Sequence, residues 1–191
     1  VIFSTNGRFH LIGEHSWFCK DKTLSMAVNL PVYVAVSPRD DSSVKFYFHQ
    51  LSESKRANIS SLKFRKEDKW ANAVKAMIYG YTSGGFDVKG MNITIYSDIL
   101  PSAGFGITTA IKVATTYAIR ELFDLRCSEA QILQVIERGN KLFLNTDNYN
   151  ADNYAAIYAK EGTVILTDHA GPSYELIPFD LLNRKTKKVL K

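Results

Sequence analysis

Apolar residues recur along the chain with two spacings, and these divide it into helices and strands. The clearest helix is 70–81. Trp70, Ala73, Val74, Met77, Ile78 and Tyr81 fall at i, i+3, i+4, i+7, i+8 and i+11, one continuous apolar face. Gly80, Gly84 and Gly85 mark its end and the turn that follows. Further helices are predicted from the glycine-containing loop near Gly106 to about Phe123, over Ser128–Leu142, and over Ala151–Lys160 before Gly162. Ser128 and Gln131 stand at capping-box spacing, with Cys127 and Ile132 placed for a hydrophobic staple.

The strand signals are shorter. Val32–Arg39 is apolar and β-branched and closes at Pro38 and the Asp40-Asp41 turn; Val44–Phe48 reads as its hairpin partner. In Met91–Ser97, Ile93 and Ile95 alternate with polar neighbours, as in a half-buried strand. Thr163–Thr167 and Tyr174–Ile177 read as two closing strands, Gln50–Lys69 as a polar connection and Asn145–Asn150 as irregular. The mixture implies an α+β fold, with helices collected on one face of a largely antiparallel sheet.

The 191 residues suffice for one domain with its own core, and 46% apolar with 23% charged residues is an ordinary globular composition. No apolar run approaches the ~20 residues that cross a bilayer. No basic flank precedes an apolar core at the N-terminus, so no secretion signal is expected. Two cysteines, Cys19 and Cys127, are too few for a disulfide framework and lack metal-ligand spacing; a reduced, cytoplasmic setting is expected. The net charge of +5 is uneven, with Arg184, Lys185, Lys187, Lys188 and Lys191 near the end. Residues 1–180 are therefore read as the domain and 181–191 as a basic tail or linker. Nucleic-acid and membrane binding are disfavoured, because no aromatic–basic interleaving accompanies the charge.

Two segments carry chemistry. Pro101-Ser102-Ala103-Gly104-Phe105-Gly106-Ile107-Thr108-Thr109-Ala110 joins a predicted strand to a predicted helix. Glycines let backbone N–H groups turn toward an anion, and a helix start adds unpaired donors and partial positive charge. Thr108 and Thr109 offer hydroxyls to a phosphate or to magnesium, which prefers oxygen. This is neither a Walker loop nor the dinucleotide fingerprint, and alone it fits an ordinary strand–helix turn equally well. The other segment is Gly7-Arg8-Phe9-His10-Leu11-Ile12-Gly13-Glu14-His15. Arg8 suits phosphate charge, and Glu14 and His15 suit sugar hydroxyls; an Arg–Glu pair at a strand end is the bland alternative.

The second segment resembles the galactokinase signature, roughly GRxNLIGEHTDY, at Gly7, Arg8, Leu11, Ile12, Gly13, Glu14 and His15. Met26–Leu30, Tyr33–Asp41 and Trp70–Lys75 resemble the same enzymes, and the glycine loop resembles the second motif of the GHMP kinases. The likeness runs, with gaps, over nearly the whole chain. It implies the GHMP-kinase N-terminal fold, a topology shared with a ribosomal-protein domain. It also implies ATP-dependent phosphorylation of the anomeric hydroxyl of galactose or a relative, with Mg²⁺. In the family the catalytic Asp follows a Phe by nine positions; here Phe143 is followed by Asp152. The resemblance thus places catalysis on Asp152 and Arg8, and sugar binding on Glu14, His15, Trp17 and Asp152. It places nucleotide on Gly104, Gly106, Thr108, Thr109 and Trp70, and metal on Thr108 and Thr109. From the residues alone, Asp152 also fits a helix N-cap, Asp147 a turn, and Trp70 a core position.

The pattern departs from the family in several places, among them Asn150 and Ala151 in place of the family's Gly-Ile-Met approach to the catalytic Asp. Trp17 stands where the family has an Asp that accepts a sugar hydroxyl, and an indole cannot accept. Ile107-Thr108-Thr109 replaces a serine-rich run, and the spacing from Pro101 to Gly104 is one residue longer. The family's C-terminal lobe, with its third glycine motif, is not found. A non-catalytic sugar and nucleotide sensor is therefore the alternative.

Overall fold

The computed structural model describes residues 1–171 and 173–179. Seven strands form one sheet: β1 (Ile2–Ile12), β2 (Lys22–Pro38), β3 (Ser43–Phe48), β4 (Glu53–Asn58), β5 (Met91–Ser97), β6 (Thr163–Asp168) and β7 (Ser173–Pro178). Four α-helices accompany them among the described residues: α1 (Ala71–Thr82), α2 (Ile107–Leu122), α3 (Glu129–Arg138) and α4 (Asn150–Tyr158). The sheet runs β4-β3-β5-β2-β6-β7, with β1 also paired to β2; only β3 and β5 are parallel. The expected mostly antiparallel mixed sheet is therefore present.

One face of the sheet is buried. Along β5, Met91, Ile93, Ile95 and Ser97 point inward while Thr94 and Tyr96 are exposed; along β3, Val44, Phe46 and Phe48 point inward. This period of two is what a sheet covered on one side imposes. The buried face meets Val74, Met77, Ile78 and Tyr81 of α1 and Ala110, Val113, Ala114, Tyr117 and Ala118 of α2 in one core. The Tyr81 hydroxyl is satisfied there by the carbonyl of Thr116. The Ser128–Gln131 capping box forms as expected.

Three expectations are corrected. Val44–Phe48 does not pair with Val32–Arg39: β5 lies between them and pairs with both. Its outer edge is covered by β4, which arises inside the stretch expected to be a polar connection. The sequence ESKRAN is polar except for one alanine and shows no apolar alternation, because an edge strand buries little. The strand β1 and the first half of β2 went unforeseen for a related reason: their inward positions hold polar groups, including Thr23 and Ser25, both fully buried. The helix expected over Ser128–Leu142 is α-helical only to Arg138, and 139–144 form a wider π-helical turn. That turn starts at Gly139, where a Cβ would lie 2.5 Å from the carbonyl oxygen of Ala76. The basic segment 181–191 lies outside the described residues.

Candidate functional site

Side chains two apart on a strand share a face, and β1 uses this to send Arg8 and His10 toward the start of α4. There the Asp152 carboxylate receives both. Arg8 Nε donates to Oδ1 at 2.6 Å and Nη2 to Oδ2 at 3.1 Å, a two-pronged pair. His10 Nε2 lies 2.8 Å from Oδ1, and the Thr109 hydroxyl donates to Oδ2 at 3.0 Å. Burial pushes the Asp152 carboxyl up, but the hydrogen bonds from His10 and Arg8 and the charge of Arg8 outweigh it. The group is held below the ordinary carboxylate value and stays ionised at neutral pH.

Arg8 also ties the two motifs together. Its Nη1 donates to the carbonyl of Gly104 at 2.7 Å, and its backbone N–H donates to the carbonyl of Phe105. Gly106 adopts φ +71° and precedes α2; a Cβ there would meet the Arg8 side chain at 3.2 Å. Gly7 is equally constrained, since its Cβ would sit 2.7 Å from the Phe105 carbonyl oxygen. The glycines thus let the loop close over the arginine as well as leave backbone donors at the helix start.

His10 was not singled out in the sequence, although its spacing of two from Arg8 was the available signal. Its side chain is 2% exposed, and Nδ1 lies 2.6 Å from the Ser25 hydroxyl. Ser25, His10 and Asp152 form a hydrogen-bonded chain, but Ser25 is fully buried. This chain orients Asp152; it is not a nucleophile triad. Lys112, one turn beyond Thr109, is a second residue that was not foreseen. It donates to Asn140 at 2.6 Å, and burial pushes it down to about 8 against the pull of Asp152.

Glu14 and His15 are exposed on the turn after β1. That turn is fastened beside α4 by the Tyr149 hydroxyl, which donates to the Glu14 carbonyl at 2.9 Å. Tyr149 stacks on His169, whose Nε2 lies 2.8 Å from the Thr23 hydroxyl. Trp17 falls in the short 3-10 turn Ser16–Cys19. Asp147 is exposed in the loop before α4 and Phe143 is buried against Tyr79.

On the other side of the glycine loop is a cleft of about 430 Å³, lined by Phe48, Phe64, Trp70, Pro101, Ile107 and Thr108 among others. Trp70 packs edge-on against Phe48 and donates from its indole to Glu53 at 2.8 Å. Thr108, exposed, lines this cleft, whereas Thr109 faces Asp152. The loop therefore separates an apolar cleft with an aromatic wall from an ionised carboxylate, with the start of α2 between them. Among the described residues no group of three His, Cys, Asp or Glu side chains is placed to hold a metal.

Residues 1–38 match the family model of the galactokinase galactose-binding signature, and residues 68–160 that of the GHMP kinases N terminal domain. A protein of Treponema pallidum (strain Nichols) named "Putative galactokinase" is 38% identical over 91% of this chain and 44% of its own length. The galactokinase of Ligilactobacillus salivarius (strain UCC118) is 29% identical over 96% of this chain and 48% of its own. Among solved structures, Lactococcus lactis galactokinase complexed with galactose superposes with a TM-score of 0.83 at 19% identity, over 98% of this chain and 53% of that one. Methanococcus jannaschii mevalonate kinase gives 0.74 at 18% identity, over 93% of this chain and 55% of that one. The chain spans about half the length of the curated relatives it matches.

Proposed function

Because the chain belongs to the galactokinase family of the GHMP kinases, as the N-terminal portion of such an enzyme, we propose that it carries the site for phosphoryl transfer from MgATP to the anomeric hydroxyl of galactose or a close relative. The observation that carries this reading is the bridge made by Arg8. One guanidinium holds the Asp152 carboxylate and at the same time the Gly104 carbonyl of the glycine loop. A sugar hydroxyl at Asp152 and a phosphate at the loop would then meet around a fixed positive charge, which suits a transfer governed by positioning and charge stabilisation.

In this reading Asp152 accepts the hydrogen bond of the attacking hydroxyl, and its low basicity makes alignment its main contribution. Arg8 stabilises charge on the transferred group. Glu14 and His15 hold other hydroxyls, with Trp17 on the adjoining turn beside them. Gly104, Gly106 and Thr108 surround the phosphates while Thr109 faces Asp152, magnesium rides on those phosphates, and Trp70 flanks the base in the cleft. The half that the relatives possess and this chain does not span would complete both sites. Residues 181–191 would lead toward it.

The sensor reading has one observation in its favour: protein donors occupy the Asp152 carboxylate on both oxygens. A coupled ADP-release assay with D-galactose and MgATP separates the two. Galactose-dependent release that falls at least about a hundredfold in Asp152→Asn supports the kinase. Binding of both ligands with no release in the wild type supports the sensor.

A further inference from the structure

A carboxylate offers about four acceptor positions, and in Asp152 all four are taken from within the protein: two by Arg8, one by His10 and one by Thr109. A ligand hydroxyl can be accepted only if one donor leaves. The four differ in what leaving requires. The two Arg8 bonds are charge-assisted, and the same guanidinium is anchored to Gly104. His10 is nearly fully buried, with its other ring nitrogen held by buried Ser25, so turning it away orphans two groups. Thr109 is neutral, only half-buried, and on the first turn of α2. Rotation about one bond turns its hydroxyl toward the carbonyl of the cap residue Gly106, the i−3 position that a helical threonine ordinarily reaches.

We propose that Thr109 is a displaceable latch on Asp152: its hydroxyl occupies Oδ2 in the free protein, and the sugar hydroxyl replaces it. This rests on the sugar-site reading above and adds to it a positioning role for Thr109 on the sugar side of the loop. Thr108, not Thr109, is then the hydroxyl that faces the nucleotide cleft. The latch also accounts for a saturated carboxylate in a site that must accept a substrate hydroxyl, because the fourth donor serves as a placeholder that keeps a partly buried charge satisfied.

The test is isothermal titration of the purified chain with D-galactose, and separately with MgATP, for the wild type, Thr109→Val, Thr109→Ala and Thr109→Ser. Removing the hydroxyl leaves Oδ2 open, so Thr109→Val and Thr109→Ala should bind galactose roughly three- to tenfold tighter, the scale of one modest hydrogen bond. Thr109→Ser, which keeps the hydroxyl, should return the affinity toward wild type, and MgATP affinity should move little. A structural role alone would not tighten sugar binding. The proposal is overturned if both hydroxyl-free variants bind galactose no tighter than wild type while wild type binds both ligands. Weaker MgATP binding alone would make Thr109 a phosphate ligand and also overturn it. If wild type binds neither ligand, the sugar-kinase reading fails along with the latch.

Discussion

At the scale of single residues, the site is built from polar groups whose partners lie far away in sequence. Arg8 and His10 meet Asp152 across more than 140 positions. The Arg8–Asp152 contact joins two residues that the signature and the Phe143 spacing had singled out. The His10 contact was not drawn from the sequence, although an i, i+2 pair on one strand placed it beside Arg8. Lys112 was hidden because its burial follows from the asparagine-lined contact between α2 and the segment 140–153, including Asn140 and Asn148. That burial has a pH signature. The Lys112 pKa in the folded protein is about 8, below its ordinary 10.5, so between these values the unfolded chain binds more protons. Stability therefore rises with pH from about 8 toward 10.5 as folding ceases to confine a charged ammonium. Urea unfolding across this range should show the rise in wild type and its loss in Lys112→Met. Parallel curves for the two proteins would mean that Lys112 is not confined as described.

At the scale of elements, legibility followed burial. The helix α1 and strand β5 were readable because each buries one regular face, and their bounds fall within a residue of those expected. The strands β1 and β4 were not, since one carries the site's polar groups and the other lies at an edge. Neither was the change to a π-helical turn at Gly139, which a close approach to α1 accompanies. The same packing gives a test at Gly80. A Cβ there would lie 2.2 Å from the Val135 carbonyl oxygen of α3. Alanine normally stabilises a helix interior by about 0.5–1 kcal/mol over glycine, but forcing α1 and α3 apart costs roughly 1–3 kcal/mol. Gly80→Ala should therefore lower stability by about 1–2 kcal/mol net in thermal unfolding. Gly171→Ala, with open space around its Cβ, is the control. Equal melting temperatures for the two variants would show that the α1–α3 contact is looser than drawn.

At the scale of the molecule, the sheet and its helices bring β1, the glycine loop and the start of α4 to one place, and Arg8 joins all three. The architecture is that of the GHMP kinases, and the chain corresponds to about half of its relatives. None of its described helices is long and apolar enough to cross a membrane. The two ligand regions proposed above, the Trp70 cleft and the Asp152 carboxylate, both lie within this half. The central claim is that the sugar region is already formed here, and equilibrium titration with D-galactose tests it most directly. The account predicts saturable binding to the wild-type chain, weakened at least about tenfold in Asp152→Asn by loss of a hydrogen bond to a charged acceptor, with MgATP affinity preserved. No galactose binding, or binding indifferent to Asp152, would contradict it.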